Sequence, residues 1–352
     1  LEDLSKLSYK QIAAMVISLF FDDFTKEQIT TAVQSAYSEQ WDDRSIVPIE
    51  KHDNHFYMEL FHGPTLAFKD IALQMLPQLM TRAVQIEKID KDIIILTATS
   101  GDTGTASMRG FANQKGTDVI VFYPEGGVSP VQLKQMLSQR GNNLRAIAIK
   151  GNFDDAQTEV KKIFNNDSFK NRLNANGYQF SSANSMNIGR LVPQISYYLY
   201  TYGQLVRRQE IKLGDEVNFA VPTGNFGDIL AGYYAKKLGL PIKKLICASN
   251  ENNVLTDFFN NGVYDKRRKF HLTNAPAMDI LVSSNLERLL FDLYGENNYE
   301  VASLMNQLTQ RGHYQVSGEV FTKLQKNFAA GFATEEEVKS EIKRVYNYDR
   351  YV

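Results

Sequence analysis

The sequence predicts an α/β fold, and three observations carry that prediction. Asp92–Ala98 (DIIILTA) and Val217–Val221 (VNFAV) are short apolar runs rich in β-branched residues, the composition of strands buried in a parallel sheet. Each run passes into a loop of glycine with hydroxyl or amide residues, then a helical pattern, then another strand; that is the βαβ unit. The chain up to Trp41 reads as helix.

Composition sets the bounds. The 352 residues suit two or three domains, and a 43% hydrophobic content can bury substantial cores. A formal net charge of -1 argues for neither nucleic acid nor an anionic membrane surface as partner. Cys247 is the only cysteine, so no intrachain disulfide framework exists, which fits a reducing, cytoplasmic setting. No apolar run is long enough to span a bilayer. His52, His55, His62, His271 and His313 form no HExxH pattern and have no cysteine cluster beside them, so no metal is expected. The first residue is Leu1, as in a trimmed chain.

In chain order, Ile12, Met15, Val16 and Leu19 make one apolar stripe, and Ile29, Ala32, Val33 and Ala36 make a second. Asp22, Asp23 and Thr25 separate them, and Thr25 can cap the second helix. Phe56–Leu60 reads as a strand entering the stretch His62–Asp70, HGPTLAFKD. There Gly63-Pro64 signals a turn and Thr65 can cap a helix whose apolar face is Ile71, Met75, Leu76, Leu79 and Met80. Pro77 should kink or end that helix. Strands follow at Asp118–Tyr123 and Leu144–Ile149, helices near Asp154–Asn165 and Leu191–Tyr202, a helix at Ile229–Leu238 and a strand at Lys244–Ala248. Glu335–Lys343 is a charged helix, most simply a solvated face.

Lys69 lies near a helix start, where the positive end of the macrodipole disfavours an ammonium, and Phe68 and Leu66 would desolvate it. A neutral lysine amine can attack a carbonyl and form a Schiff base. The same stretch also reads as a surface lysine that starts a helix. Gly224-Asn225-Phe226-Gly227 joins a strand to a helix; its amides and the helix dipole suit an anion, and it equally fits a tight turn with no ligand. It is neither GxGxxG nor GxxxxGK[ST], which disfavours a dinucleotide or a nucleoside triphosphate. In the loop Thr99-Ser100-Gly101-Asp102-Thr103, hydroxyls and amides can bind a carboxylate. Its Asp102-Thr103-Gly104 also spells the aspartic-peptidase triplet, but that chemistry needs two carboxylates and the chain has one such triplet. Asn187 and Arg190 sit three apart, on one face of a helix; the planar fork of Arg190 suits a phosphate, and a surface carboxylate is the commoner partner for an arginine.

His62–Asp70 resembles the lysine motif of the threonine synthase family, pyridoxal-phosphate (PLP) enzymes of fold type II. The stretches around 99–105, 184–190 and 222–228 match that family in the same order, so the resemblance covers about Leu60 to Ala277. It implies a tryptophan-synthase-β-like fold of two α/β domains around PLP: an N-terminal helical segment 1–50, a large PLP-binding domain from 51–91 and 206–352, and a smaller inserted domain 92–205. It implies Lys69 as the catalytic, PLP-bearing lysine, with Asp102, Gly224, Asn225, Phe226, Gly227 and Asp228 toward the cofactor. It implies Thr99, Ser100, Thr103, Asn184, Ser185 and Arg190 toward the substrate, with Asn184, Ser185 and Arg190 gripping its phosphate. The implied reaction converts O-phospho-L-homoserine and water to L-threonine and phosphate, in a cytoplasmic monomer or homodimer.

Two departures matter. The wider fold type II group carries asparagine near the cofactor's ring oxygen where this chain has Asp102. An ionised carboxylate there would repel a phenolate by roughly 4 kcal/mol at about 4 Å with an effective dielectric near 20. Asp102 is therefore either protonated or turned to backbone amides. The family's closing Gly-Thr-Ala-His-Pro-like run, whose threonine meets the pyridine nitrogen, has no counterpart in this sequence, and an incomplete sequence is expected. The alternatives are another fold type II lyase, such as a serine or threonine dehydratase, and a homologue that binds PLP without catalysis.

Overall fold

The computed structural model describes residues 2–99, 101–151 and 153–348. Contacts divide the chain into two compact units. One, the lysine-motif unit, comprises Lys6–Glu50 and Met58–Thr201; the other, the glycine-loop unit, comprises Lys51–Tyr57 and the chain from Tyr202 onward, with the first few residues.

The lysine-motif unit is built on a parallel sheet of four strands, in the order Leu144–Ile149, Thr117–Pro124, Asp92–Ala98, Tyr178–Ser181. Ile95 pairs with Val119, and Asp92 with Tyr178. Alternation sends Ile93 and Ile95 to one face, where they pack with Leu73, Leu76, Phe111, Val119 and Val121. Leu96 and Ala98 go to the other face, against Ala156 and Val160. A sheet covered on both faces needs apolar residues throughout, which is why DIIILTA does not alternate with polar ones. Each such large side chain taken from water contributes about 1.5–3 kcal/mol.

Helices Tyr9–Phe20 and Lys26–Ala36 begin with capping boxes, Ser8 with Gln11 and Thr25 with Gln28. The first helix buries Ile12, Ala13, Val16 and Ile17, whereas Met15 and Leu19 of the expected stripe are 37% and 60% exposed. Several arcs of this helix are apolar, and the packing partner selects one.

Helix Asp70–Ile86 continues past Pro77, where an end was one of the two expected outcomes. Proline cannot donate to the carbonyl four residues back, that of Leu73. Gly110, in helix Asp102–Phe111, lies against that carbonyl: a Cβ on Gly110 would stand 2.0 Å from Leu73 O. This packing, and that against Lys26–Ala36, puts the lysine motif in the unit of the four-stranded sheet. The expected grouping of 51–91 with 206–352, apart from the N-terminal helices, is not the division that these contacts make.

The glycine-loop unit holds a parallel sheet of three strands, in the order Phe328–Phe332, Ile242–Ser249, Val217–Pro222. Beside it His313–Gln315 pairs antiparallel with Val263–Asp265, and the rings of Tyr264 and Tyr314 stack at 5.3 Å. Cys247 is buried in the middle strand, and burial pushes its thiol up to about 12. Helix Glu335–Tyr348 has no buried residue among those described. No described helix is long and apolar enough to cross a membrane.

Candidate functional site

In the lysine-motif unit, Lys69 stands at the N-cap of helix Asp70–Ile86 and offers it no side-chain cap. Thr65, expected as the cap, lies upstream in the loop. Asp70 reaches back to it instead, accepting the Thr65 amide and hydroxyl, each at 2.7 Å. Burial raises the pKa of Asp70, and these bonds oppose the rise. Gly63 makes the loop's close return possible, since a Cβ there would lie 2.5 Å from that of Asp70. At the head of the loop, His62 bridges Asp42 at 2.6 Å and Glu59 at 2.8 Å. Burial opposes the imidazolium, but the two carboxylates prevail and raise its pKa.

Lys69 Nζ donates to Asp102 Oδ2. Leu66 does not desolvate it, being 63% exposed, with a φ of 60°; the Phe68 ring lies 4.7 Å from Nζ. Asp102 Oδ1 accepts the Thr103 amide at 2.8 Å. Burial would raise the pKa of Asp102, but Lys69, the Thr103 amide and the charge of Arg190 lower it on balance. Of the two arrangements left open by the sequence, the carboxyl group is turned to a backbone amide.

Thr99 accepts the amides of Gly101 and Gly104, both at 2.9 Å, so its hydroxyl braces the loop instead of facing outward. Ser100 lies outside the described residues. Thr103 is half-buried in the first turn of helix Asp102–Phe111. Asn184 accepts the Thr97 hydroxyl at 2.7 Å, and Ser185 beside it is half-buried. Asn187 does not share a helix face with Arg190: it precedes helix Ile188–Arg207, accepts the Gly189 amide at 2.9 Å and donates to Ser182 O at 2.8 Å. Arg190 is 4% exposed. Its Nη1 donates to Ala183 O at 3.0 Å, and its Nε has no partner among the described residues. Burial pushes the guanidinium down to about 10, with the charge of Asp102 opposing. Arg190 is thus a buried cation with donor capacity to spare, not a surface arginine.

In the glycine-loop unit, the Thr223 amide donates to Ala248 O at 2.8 Å and fixes where the strand ends. Gly224 is closely packed: a Cβ would meet Ala277 O at 3.0 Å and Met278 Cα at 3.2 Å, so that backbone would have to give way by a few tenths of an ångström. Phe226 adopts φ 65°, ψ 5°, a left-handed conformation that costs a non-glycine residue about 1–2 kcal/mol. Burial of its ring offsets that cost: it is 1% exposed, with Phe259 and Phe328 each at 5.8 Å. Only the backbone of Phe226 is thus available to a ligand. Helix Gly227–Lys237 starts with no side-chain cap, and Asp228 lies in its first turn. Its leading amides therefore keep the partial positive charge of a helix start.

PLP asks for an amine toward its carbonyl carbon and an anion cradle for its phosphate. In the lysine-motif unit a half-buried lysine meets the first requirement, and in the glycine-loop unit an uncapped helix start behind a closely packed glycine meets the second. Asp70 was readable only as the end of the motif.

A family model described as pyridoxal-phosphate dependent enzyme matches residues 48–311. Threonine synthase of Saccharomyces cerevisiae is 36% identical over 98% of this chain and 70% of its own length. Threonine synthase-like 1 of Homo sapiens is 40% identical over 94% of this chain, which spans 45% of that relative. The crystal structure of PLP-bound threonine synthase from Brucella melitensis superimposes with a TM-score of 0.89 at 38% identity, covering 98% of this chain and 72% of that one. The chain belongs to the pyridoxal-phosphate dependent enzyme family and, within it, to the threonine synthases.

Proposed function

We propose that this chain carries the reaction of a threonine synthase, turning O-phospho-L-homoserine and water into L-threonine and phosphate, with PLP as cofactor. One observation supports the substrate most directly: Arg190 is a buried guanidinium whose Nε has no partner among the described residues, in the unit that holds Lys69. A buried cation of this kind calls for an anion. Lys69 would hold the cofactor covalently, and the amides that open helix Gly227–Lys237 would hold its phosphate. When bound, PLP supplies an electron sink for charge developing at the substrate's α carbon. Lys69, as a free amine, would be the base that takes the α proton and moves protons at the β carbon. Asp102 holds that ammonium in place between transfers. The fork of Arg190 would grip the phosphate that leaves the γ carbon, with Asn184 and Ser185 beside it, while water adds at the β carbon.

Arg190→Lys keeps the charge and loses the fork. One charge-assisted hydrogen bond is worth roughly 1.5–3 kcal/mol, so kcat/KM on phosphohomoserine should fall about ten- to a hundredfold. The visible absorption of the bound cofactor should not change. Full activity, or loss of the cofactor, would make Arg190 structural. Relatives carry both the name threonine synthase and the name threonine synthase-like 1. Phosphate release from phosphohomoserine should therefore be measured against ammonia release from serine and threonine.

A further inference from the structure

We infer that Ser283 and Asn285 are positioning residues that aim the amides of the glycine loop at the cofactor's phosphate; this rests on the reading of that loop given above. Ser283 Oγ donates to Gly224 O at 2.8 Å. Asn285 donates twice to Asn225 O, from its backbone amide at 3.1 Å and from Nδ2 at 2.9 Å. In a trans peptide the carbonyl of one residue and the N–H of the next point in opposite directions. Pinning the carbonyls of 224 and 225 to one segment therefore turns the N–H groups of Asn225 and Phe226 to the opposite side. Phe226, in its left-handed conformation, passes the chain into a helix start with no side-chain cap, whose own amides continue the set. Successive amides turned to one side in this way make an anion nest.

The pins are themselves held. The Ser283 amide donates to Tyr264 Oη at 2.8 Å, and that hydroxyl donates to Leu281 O at 3.0 Å. Tyr264 is buried. Upstream, Asp279 accepts Asn250 Nδ2 and the Thr273 hydroxyl, each at 2.7 Å, Asn252 Nδ2 at 3.0 Å and the Thr273 amide at 2.9 Å. That carboxylate fixes the turn whose residues 277 and 278 press on Gly224. Ser283 and Asn285 are themselves 6% and 1% exposed, so neither reaches a ligand directly. Their effect on the cofactor passes through the loop's carbonyls.

The test compares PLP with pyridoxal, which lacks the phosphate, in binding to cofactor-stripped protein followed by visible absorption. Ser283→Ala removes one pin and Asn285→Ala removes half of the other. Each should weaken PLP by about five- to tenfold, the worth of one hydrogen bond, and leave pyridoxal within about twofold. Ser283→Thr keeps the donor and should bind PLP as the parent does. Thermal unfolding without cofactor reports folding independently. Unchanged PLP affinity in both alanine variants, or equal weakening of PLP and pyridoxal, overturns the assignment. Gly227→Val separates the two levels. If it leaves PLP affinity intact, the loop is not the phosphate site; if it abolishes PLP preference while the alanine variants do not, the loop is the site and Ser283 and Asn285 are not its pins.

Discussion

Asp102 shows how much one residue's charge depends on its neighbours. Burial alone would favour its protonated form, but Lys69, the Thr103 amide and Arg190 lower its pKa from the ordinary 3.8. A carboxylate with a depressed folded pKa contributes stability that is fully present above its unfolded value and is lost as pH falls through the folded one. Asp102→Asn leaves Lys69 without its counter-ion and should cost about 3 kcal/mol near neutrality. Melting curves between about pH 2 and pH 7 should show the gap between parent and variant closing as pH drops below the ordinary carboxylate range. A gap that is constant with pH would mean that Asp102 acts by packing alone. Phe226 is a second case of competing terms. Phe226→Gly relieves about 1–2 kcal/mol of left-handed strain but forfeits about 3–5 kcal/mol of buried ring. The variant should therefore be less stable by about 1–4 kcal/mol, measured by urea titration, although glycine suits the φ of 65° better. The presence of a charged residue at 102 and an aromatic one at 226 was legible; the direction in which each side chain turns was not.

At the scale of elements, the pairing of helices Asp70–Ile86 and Asp102–Phe111 depends on two residues that both look unfavourable in a helix. Pro77 strips the Leu73 carbonyl of its donor, and Gly110 lets the neighbouring backbone come up against that carbonyl. Gly110→Ala would place a methyl 2.0 Å from a backbone oxygen, which cannot swing aside as a side chain can. The expected loss is about 3 kcal/mol, at the upper end for overpacking. Read by propensity alone, Ala should instead stabilise this helix by about 1 kcal/mol, so the sign of the measured change decides between the two. A helical pattern gave the first helix, but what carries it past Pro77 lies in another element. The strand Phe328–Phe332 (FAAGF) was missed for a related reason: its small residues make no β pattern, and its place in the sheet comes from pairing with Leu245–Ser249.

For the whole molecule, the only tryptophan and the only cysteine fall one in each unit. Trp41 is 6% exposed and donates from Nε1 to Ala36 O at 2.9 Å, in the lysine-motif unit. Cys247 lies in the middle strand of the other sheet, its thiol pushed up to about 12 by burial. Native protein should hence be slow toward a disulfide reagent, since the thiolate is the reacting form. In urea, tryptophan fluorescence follows one unit and thiol labelling the other. Gly110→Ala should shift the Trp41 transition more than the Cys247 transition, because its clash lies in the unit that contains Trp41. Equal shifts would mean that the two units unfold as one.

Much of what this protein is can be read from short range. The Thr25 cap is closed within three residues, the buried strands announce themselves by composition, and the lysine and glycine loops keep their residues next to one another in the chain. Such features survive in sequence because their physical cause spans a single turn or strand. Tertiary structure alone decided that Lys69 meets Asp102, that Arg190 is buried with its Nε unpaired, and that Ser283 holds a carbonyl 59 residues away. Each of these depends on which distant group folds against a side chain, and a hydrogen bond across that separation leaves no period in the sequence to read.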